Sequence, residues 1–238
     1  MKTDNVINYF VLIWKMILYN LRIIFANKFI WFLGGSVLFY LGLSVIYVFS
    51  NDISRASDLF GVFIFSGILL VFYPSVFGIQ NDQDARTIEI LFGIPDYRYK
   101  VWLVRIILIF VIAWLILLVF TSLSSFLIVK FQVFRLTAQV MYPVLFLGMM
   151  AFMLSTVIRN GNGTAVAMII FGLFFLILED PLRKSQWNIF LNPYDPPFDV
   201  NETTWSIITF KNRIILITGT ILFLMAALFN LQKREKFM

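Results

Sequence analysis

The sequence predicts an all-α polytopic membrane protein, with an N-terminal interfacial helix, six transmembrane helices and both termini in the cytoplasm. Three observations favour this class. First, 61% of the 238 residues are hydrophobic and the mean hydropathy is +0.89, whereas soluble domains average about 45–50% apolar residues. Second, six charge-free stretches of 19 to 24 residues occur, while every other stretch between charges has ten residues or fewer. Third, Lys and Arg are unequally divided between the two predicted sides of the membrane.

The six charge-free stretches predict six membrane spans. An α-helix rises about 1.5 Å per residue, so roughly 20 residues cross a hydrocarbon core about 30 Å thick. Charged side chains are absent from the interiors of these stretches, which argues against a proton relay or a voltage sensor, because both place charges within the membrane. The stretches are residues 29–51, 59–81, 106–129, 136–158, 160–178 and 214–232.

The distribution of positive charge predicts the orientation. With the N-terminus inside, the predicted inner segments hold 12 Lys or Arg and 6 Asp or Glu, whereas the outer segments hold 7 of each. An excess of Lys and Arg in short loops marks the cytoplasmic side of a membrane protein. We therefore expect both termini to be cytoplasmic.

The first 28 residues predict an interfacial helix that lies along the membrane surface. Most positions are apolar, and five polar side chains share one helical face at spacings of 4, 7, 4 and 3: Asp4, Asn8, Lys15, Tyr19 and Arg22. A narrow polar stripe with Lys and Arg is typical of a helix in the membrane interface. The alternative is an N-terminal extension of the first span.

Residues 80–100, QNDQDARTIEILFGIPDYRYK, form a polar segment between the second and third spans. They contain seven charges in 21 residues, although only 13% of the chain is charged. Asp82 or Asp84 can cap the start of a short helix, and Pro95 ends it. The pattern favours an amphipathic helix over residues 82–94 at the inner surface, where a soluble partner can dock. A plain turn with solvated charges is the alternative.

The longest predicted outer loop covers residues 179–212. Four prolines interrupt it, and several aromatic residues lie among them. Because proline breaks a helix and aromatic side chains favour the membrane interface, we expect short or re-entrant helices there, with a plain surface loop as the alternative. No repeat or flexible linker divides the chain, so residues 1–238 are expected to form a single transmembrane domain.

The residue types that are absent narrow the function. The chain has no cysteine and no histidine, so it offers no thiolate or imidazole metal site and no cysteine nucleophile. It also has no Gly-Lys dipeptide, which the phosphate-binding P-loop requires. We therefore expect no catalysis, cofactor or metal in this chain, and the energy for any uphill transport must come from another protein. No basic face stands apart from the membrane ends, which argues against nucleic-acid binding.

The sequence ARTIEILFGIPDYRYKVWLVRI, residues 85–106, resembles the cytoplasmic loop before the third span of ABC type 2 permeases. The positions that match the family pattern G-T-L-E-x-L-L-x-x-P and its following basic residue are Thr87, Ile88, Glu89, Leu91, Pro95 and Arg98. Arg86 departs from the pattern, because the family usually has a small residue there. Residues 148–170 and the LNPYDPP motif before the sixth span are also similar to the family, and the N-terminal helix resembles its elbow helix.

The resemblance implies the transmembrane subunit of an ATP-driven ABC exporter. In this family two permeases, identical or paralogous, stand above two ABC ATP-binding subunits that bind ATP and Mg²⁺. Residues 82–94 would be the coupling helix that seats on the ATPase. The residues implied in this contact are Asp82, Asp84, Arg86, Thr87, Glu89 and Leu91, with Arg159 and Asn160 at a second inner turn. Membrane lipid is the remaining expected partner, and the expected location is a bacterial inner membrane.

Other functions also fit these residues. The polar segment would equally serve a non-transporting membrane anchor or assembly factor that holds a soluble partner. A membrane-embedded enzyme is a further alternative, but it would need polar catalytic residues. The only candidates are the acidic residues of the outer loop, and their spacing is not that of metal ligands. For an exporter, the uncharged spans favour a hydrophobic or amphipathic cargo. Four aromatic residues of the outer loop are candidates for an outer gate over the exit: Trp187, Phe190, Tyr194 and Phe198.

Overall fold

The computed structural model describes residues 15, 18–20, 22, 28–49, 55–85 and 97–232. This part of the chain contains no β-strand, and each of the six charge-free stretches overlaps one α-helix. The helices are α1 (Phe29–Phe49), α2 (Ala56–Asp84), α3 (Val104–Leu127), α4 (Val133–Ile158), α5 (Gly161–Ile177) and α6 (Glu202–Asn230). A π-helical turn, Arg98–Leu103, leads directly into α3.

Five helical segments are long and apolar enough to cross a membrane. They are α1, α2, the π-helical turn together with α3, α4 and α6. The shorter helix α5 is also apolar but has 17 residues, so it is about 26 Å long at 1.5 Å per residue. The described helices therefore have the architecture of a polytopic membrane protein.

Hydrogen bonds between helices define the two ends of the bundle. At one end, Tyr47 OH of α1 donates to the carbonyl of Asp58 in α2. At the other end, Arg105 of α3 pairs with Asp82 of α2. We call the first end the loop end, because residues 178–201 connect α5 to α6 there, and the second the Asp82 end.

Helices α2 and α4 form the centre of the bundle. α2 contacts α1, α3, α4 and α5, and α4 also contacts α3, α5 and α6. Most side chains of α2 and α4 are buried, whereas α1, α5 and α6 expose apolar side chains along much of their length. In a membrane such side chains face lipid or another membrane helix, since water is absent there.

Two glycines allow α2, α3 and α4 to pack closely. A Cβ atom at Gly67 of α2 would lie 2.7 Å from Cγ2 of Val144 in α4 and 3.1 Å from Cδ1 of Leu117 in α3. At Gly148 of α4 it would lie 2.8 Å from Cζ of Phe110 in α3. Small residues permit this approach, and close packing is a main source of helix association in lipid.

Buried hydroxyl groups link α1 to its neighbours. Ser36 Oγ donates to the carbonyl of Ser66 in α2 at 3.0 Å, and Tyr40 OH donates to the carbonyl of Phe120 in α3 at 3.0 Å. In the hydrocarbon region only another protein group can satisfy a polar side chain. These bonds therefore hold α1 in register with the central helices.

The connection between α5 and α6 differs from the sequence expectation. Residues 178–201 form turns without a helix, and α6 already begins at Glu202. Short or re-entrant helices were the expectation for 179–212, but prolines lack the N–H donors that helices need, and asparagine side chains favour turns. For example, Asn192 Oδ1 accepts the backbone N–H of Tyr194 at 3.0 Å.

The predicted interfacial helix of residues 1–28 is described only in part. Lys15, Tyr19 and Arg22 are helical and exposed. The other residues of its polar stripe, and the basic tail at 233–238, lie outside the described residues.

Candidate functional site

A buried ion pair joins the end of α2 to the start of α3. Arg105 Nη1 donates to Asp82 Oδ2 at 2.8 Å, and the two side chains are only 4% and 6% exposed. Removing two charges from water is costly, and their attraction offsets that cost only when they stay paired. The pair therefore fixes the end of α2 against the beginning of α3, across a separation of 23 residues in sequence.

The residues before α3 are tied to this ion pair, to α4 and to α6. The guanidinium carbon of Arg105 lies 4.7 Å from the ring centroid of Trp102, a cation–π arrangement. Trp102 packs against Phe152 of α4, with ring centroids 6.1 Å apart. Tyr97 OH donates to the carbonyl of Leu231, which follows α6. We call this set of contacts the junction, because it connects α2, α3, α4 and the end of α6.

The turn between α4 and α5 lies beside the end of α2. Arg159 ends α4 with a left-handed backbone, φ 59°. Asn160 caps α5, since its Oδ1 accepts a backbone N–H three residues ahead at 2.9 Å. Gln80 of α2 accepts the backbone N–H of Gly161 at 2.5 Å and donates to Asp84 Oδ2 at 3.4 Å. Gln80 therefore hydrogen-bonds to both described regions that were predicted to contact an ATPase: the end of α2 and the turn between α4 and α5.

The structure brings together four of the eight residues predicted to contact an ATPase. Asp84, Arg159 and Asn160 are exposed at the Asp82 end, whereas Asp82 is 5% exposed and its carboxylate faces Arg105. The other four lie outside the described residues: Arg86, Thr87, Glu89 and Leu91. The described chain stops at Ala85, just after α2, and resumes at Tyr97, which belongs to the junction.

The loop at the opposite end is tied to two helices. Asn192 Nδ2 donates to the carbonyl of Ser57 at the start of α2, at 2.9 Å. Asn212 Nδ2 of α6 donates to the carbonyl of Asn188 at 2.7 Å. Residues 178–201 consequently form an ordered cover over the loop end, even though they contain no helix.

The four aromatic gate candidates do not form one cluster. Trp187 and Phe198 are exposed to the surroundings. Phe190 lines a cavity between α2 and α5, whereas Tyr194 lines another cavity between α4 and α6. Tyr194 also packs edge-on against Phe60 of α2, with ring centroids 6.1 Å apart.

The cavity between α2 and α5 has a volume of about 600 Å³ and a mainly apolar lining. Asp58 and Glu179 lie at its loop end. Burial raises the pKa of Glu179, the negative charge of Asp180 raises it further, and Arg183 opposes the rise. The cavity therefore offers an apolar interior beneath a rim that contains carboxylates.

The cavity between α4 and α6, which we call the α4–α6 cavity, has a volume of about 630 Å³ and a more polar lining. It contains two arginines, Arg135 of α4 and Arg213 of α6. Arg213 is 6% exposed, and its Nε donates to Gln139 Oε1 at 2.8 Å. The two cavities thus differ in charge as well as in position.

Sequence reasoning missed Arg105 and Arg213 as site residues. Each stands immediately before a charge-free stretch, and a charge at such a boundary has an ordinary explanation in membrane proteins. The sequence did contain a signal for Arg105, because Asp82 directly follows the stretch 59–81 and Arg105 directly precedes the next one, 106–129. The neutral partners of Arg213 come from α4, α6 and the loop, and no spacing in the sequence indicates them.

Comparison of the chain with protein-family models, curated proteins and solved structures found no match. Among the residues that the structure describes, no group of three or more Asp or Glu residues is placed to hold a metal ion. The fold and the site thus define an all-helical chain with membrane-length helices, a fixed junction at one end and two cavities.

Proposed function

We propose that this chain is the transmembrane subunit of an ATP-driven ABC exporter, which pairs with a second copy or a paralogue above two separate ATP-binding subunits. The observation that supports this most is the position of the polar segment. In the sequence, the permease-like motif around Thr87 and Glu89 follows α2 and precedes α3, and the Asp82–Arg105 pair joins the facing ends of these two helices. A partner that moves this segment would move both helices.

The packing around the junction gives such a movement a route into the bundle. α2 and α3 are locked together by the ion pair, and α2 packs along α4. Gln80 connects α2 to the start of α5, and Tyr97 connects the junction to the end of α6. Because packed helices behave as rigid elements, displacement of the segment would shift the bundle as a body.

The residues predicted to contact the ATPase take different roles in this proposal. Glu89 and Arg86 are proposed to make the main contact with the ATPase. Asp84, Arg159 and Asn160 are exposed at the Asp82 end and extend the contact surface. Asp82 is buried against Arg105, so its role is to position the segment.

The proposal also includes the arrangement in the membrane. α5 serves as the sixth span, since about 17 residues is the lower limit for crossing the hydrocarbon core. The Asp82 end and both termini then face the cytoplasm of a bacterial cell, and the loop end faces outward. ATP and Mg²⁺ bind to the partner ATPase.

The cargo is proposed to be hydrophobic or amphipathic. The cavity between α2 and α5 supports this class, because its lining is mainly apolar and its rim contains Asp58 and Glu179. Of the gate candidates, Phe190 lines this cavity and Tyr194 covers the α4–α6 cavity. A gate would therefore involve Phe190 at one cavity and Tyr194 at the other.

The test is to purify the tagged chain from native membranes in mild detergent and identify the proteins that accompany it. We expect a P-loop ATPase with the wild type and its loss with Glu89→Arg, because reversal of charge at the contact opposes docking. Asp180→Arg is the matched control, since Asp180 is exposed at the loop end. This variant should keep the ATPase.

Two results would contradict the proposal. If the Glu89→Arg variant still co-purifies with the ATPase, the contact with the ATPase lies elsewhere. Recovery of a partner without a nucleotide site, again lost with Glu89→Arg, would favour the membrane anchor or assembly factor, which uses the same segment without transport.

A further inference from the structure

The α4–α6 cavity combines two guanidinium groups with an apolar wall. Its polar side is formed by one face of α4, where Arg135, Gln139 and Tyr142 recur at helical spacing, and by Arg213 of α6. Tyr194 of the loop covers it. The cavity lies at the loop end, where α6 meets the covering loop.

Arg213 is held in place by neutral groups. Its Nε donates to Gln139 Oε1 at 2.8 Å, its Nη1 to Asn212 Oδ1 at 2.7 Å and its Nη2 to the carbonyl of Leu191 at 3.1 Å. The guanidinium carbon also lies 5.3 Å from the ring centroid of Tyr142. Within the described part of the chain, no carboxylate forms an ion pair with this buried cation. A guanidinium has five N–H donors, so these three bonds leave two for a ligand.

Arg135 adds a second positive charge to the same cavity. It lies one helical turn from Gln139, the partner of Arg213, which corresponds to about 6 Å along α4. Both arginines also act on Tyr194: burial raises the pKa of its phenol, and the charges of Arg135 and Arg213 oppose the rise. All three side chains line the same cavity, so both cations are available to one anion bound there.

One acid, Glu202, also lines the cavity. It stands at the first position of α6, eleven residues before Arg213, which is about 16 Å along the helix. Among the described residues it forms no ion pair with either arginine. The cavity therefore keeps an excess of positive charge.

The wall below the arginines is apolar and open to the surroundings. Phe210, Ile214 and Ile217 follow one face of α6 and line the cavity, with exposed fractions of 68%, 48% and 45%. Ile221 continues this face away from the loop end and is half exposed as well. A free anion would gain nothing from this wall, whereas the chain of an amphiphile can lie against it.

We propose that the α4–α6 cavity binds an anionic lipid, with its phosphate at Arg135 and Arg213 and its acyl chain along α6. Guanidinium groups bind phosphate through paired charge-assisted hydrogen bonds. The apolar face of α6 selects a lipid over a soluble phosphate. The residues that line this cavity take no part in the junction, so the inference stands independently of the exporter proposal.

Binding is measured by native mass spectrometry of the purified chain, titrated with dioctanoyl phosphatidylglycerol. Dioctanoylglycerol, which has the same chains without a phosphate, and inorganic phosphate are the comparison ligands. We expect phosphatidylglycerol to bind at least about tenfold more tightly than either, since only this ligand combines charge-assisted hydrogen bonds to the arginines with chains that lie along α6.

Two variants test the arginines separately. Arg135→Gln removes an exposed charge, so the fold is expected to survive, and Arg213→Gln removes the buried one. Each should weaken phosphatidylglycerol binding by about tenfold. Lys130→Gln is the matched control, because Lys130 is exposed at the loop end but does not line the cavity. Its binding should equal that of the wild type.

Three results would overturn the inference. Unchanged binding by Arg135→Gln would show that the cavity is not the site, whether or not Arg213→Gln folds. Equal weakening by Lys130→Gln would indicate a general surface charge effect. Inorganic phosphate that binds as tightly as the lipid would assign the site to a free anion.

Discussion

At the scale of single residues, the Asp82–Arg105 pair fixes the Asp82 end by a short, buried contact. Its atoms are 2.8 Å apart and almost completely buried. Nη1 of Arg105 bonds to the carboxylate, while Nε and Nη2 have no hydrogen-bond partner within the described residues. The guanidinium therefore depends on Asp82 for its charge balance and on Trp102 for contact with its face.

Breaking this pair is predicted to destabilise the fold more than removing both charges does. Asp82→Asn or Arg105→Gln should each cost about 3–5 kcal/mol, because each change removes one member of a buried ion pair. The double variant should cost clearly less than the sum of the two. Thermal unfolding of the four proteins in the same detergent measures this coupling.

Additive effects in that double-mutant cycle would contradict the account. Such a result would mean that the two charges do not interact across the junction. It would also remove the reason to expect α2 and α3 to move together.

Glu179 gives a prediction for pH. Burial and Asp180 raise its pKa in the folded protein, so its contribution to stability is present below the pKa of the unfolded state and is lost as pH rises through the folded value. From pH 4 to pH 7 the melting temperature of Glu179→Gln should therefore fall less than that of the wild type. Equal pH profiles for the two proteins would refute this interpretation, and Glu202→Gln at the start of α6 is the control.

At the scale of elements, the two central glycines explain why α2 and α4 can occupy the middle of the bundle. Each has side chains from two other helices within contact distance of the missing Cβ. The other two glycines of α2 are less crowded, since a Cβ at Gly78 would meet only Trp102, at 3.8 Å. Gly61 of α2 has nothing within 4 Å of that position.

Gly67→Ala and Gly61→Ala are therefore predicted to have opposite effects. The first forces its Cβ against Val144 and should destabilise the protein by about 1–3 kcal/mol, as overpacking does. The second lies in the same helix, meets no atom, and should stabilise it by roughly 0.5–1 kcal/mol through the lower flexibility of alanine. Melting temperatures in one detergent compare them, and destabilisation by both would show that the close packing is not the cause.

Most helix positions follow from the sequence because charged side chains avoid the hydrocarbon region. The stretch 106–129 predicts α3 closely, and 136–158 predicts α4 to within three residues at its start. The start of α6 does not follow from this rule. α6 begins twelve residues before its charge-free stretch. Its first turns precede the apolar stretch and pack under the loop, where charged side chains are tolerated.

At the scale of the whole molecule, the sites are less predictable than the helices. The density of charged residues alone indicates that residues 80–100 differ from the rest of the chain. It does not indicate that Asp82 turns inward, because the pairing with Arg105 needs the tertiary arrangement of two helices. It also does not indicate the α4–α6 cavity. Arg135 and Arg213 lie far apart in the sequence, since α5 and the loop 178–201 separate α4 from α6.

The two ends of the molecule differ in their charge chemistry. At the Asp82 end, the buried cation has a carboxylate partner. At the loop end, the buried cation has only neutral partners among the described residues. This difference is the reason to assign mechanical coupling to one end and ligand binding to the other.

The most direct test of the exporter account is to identify what residue 89 contacts in intact membranes. Because the chain has no cysteine, Glu89→Cys introduces a single thiol that can hold a photo-crosslinker, and Asp180→Cys provides the same probe at the loop end. The account predicts that a P-loop ATPase is cross-linked from position 89 and not from position 180. Cross-links from position 89 to lipid alone, or to a protein without a nucleotide site, would contradict it.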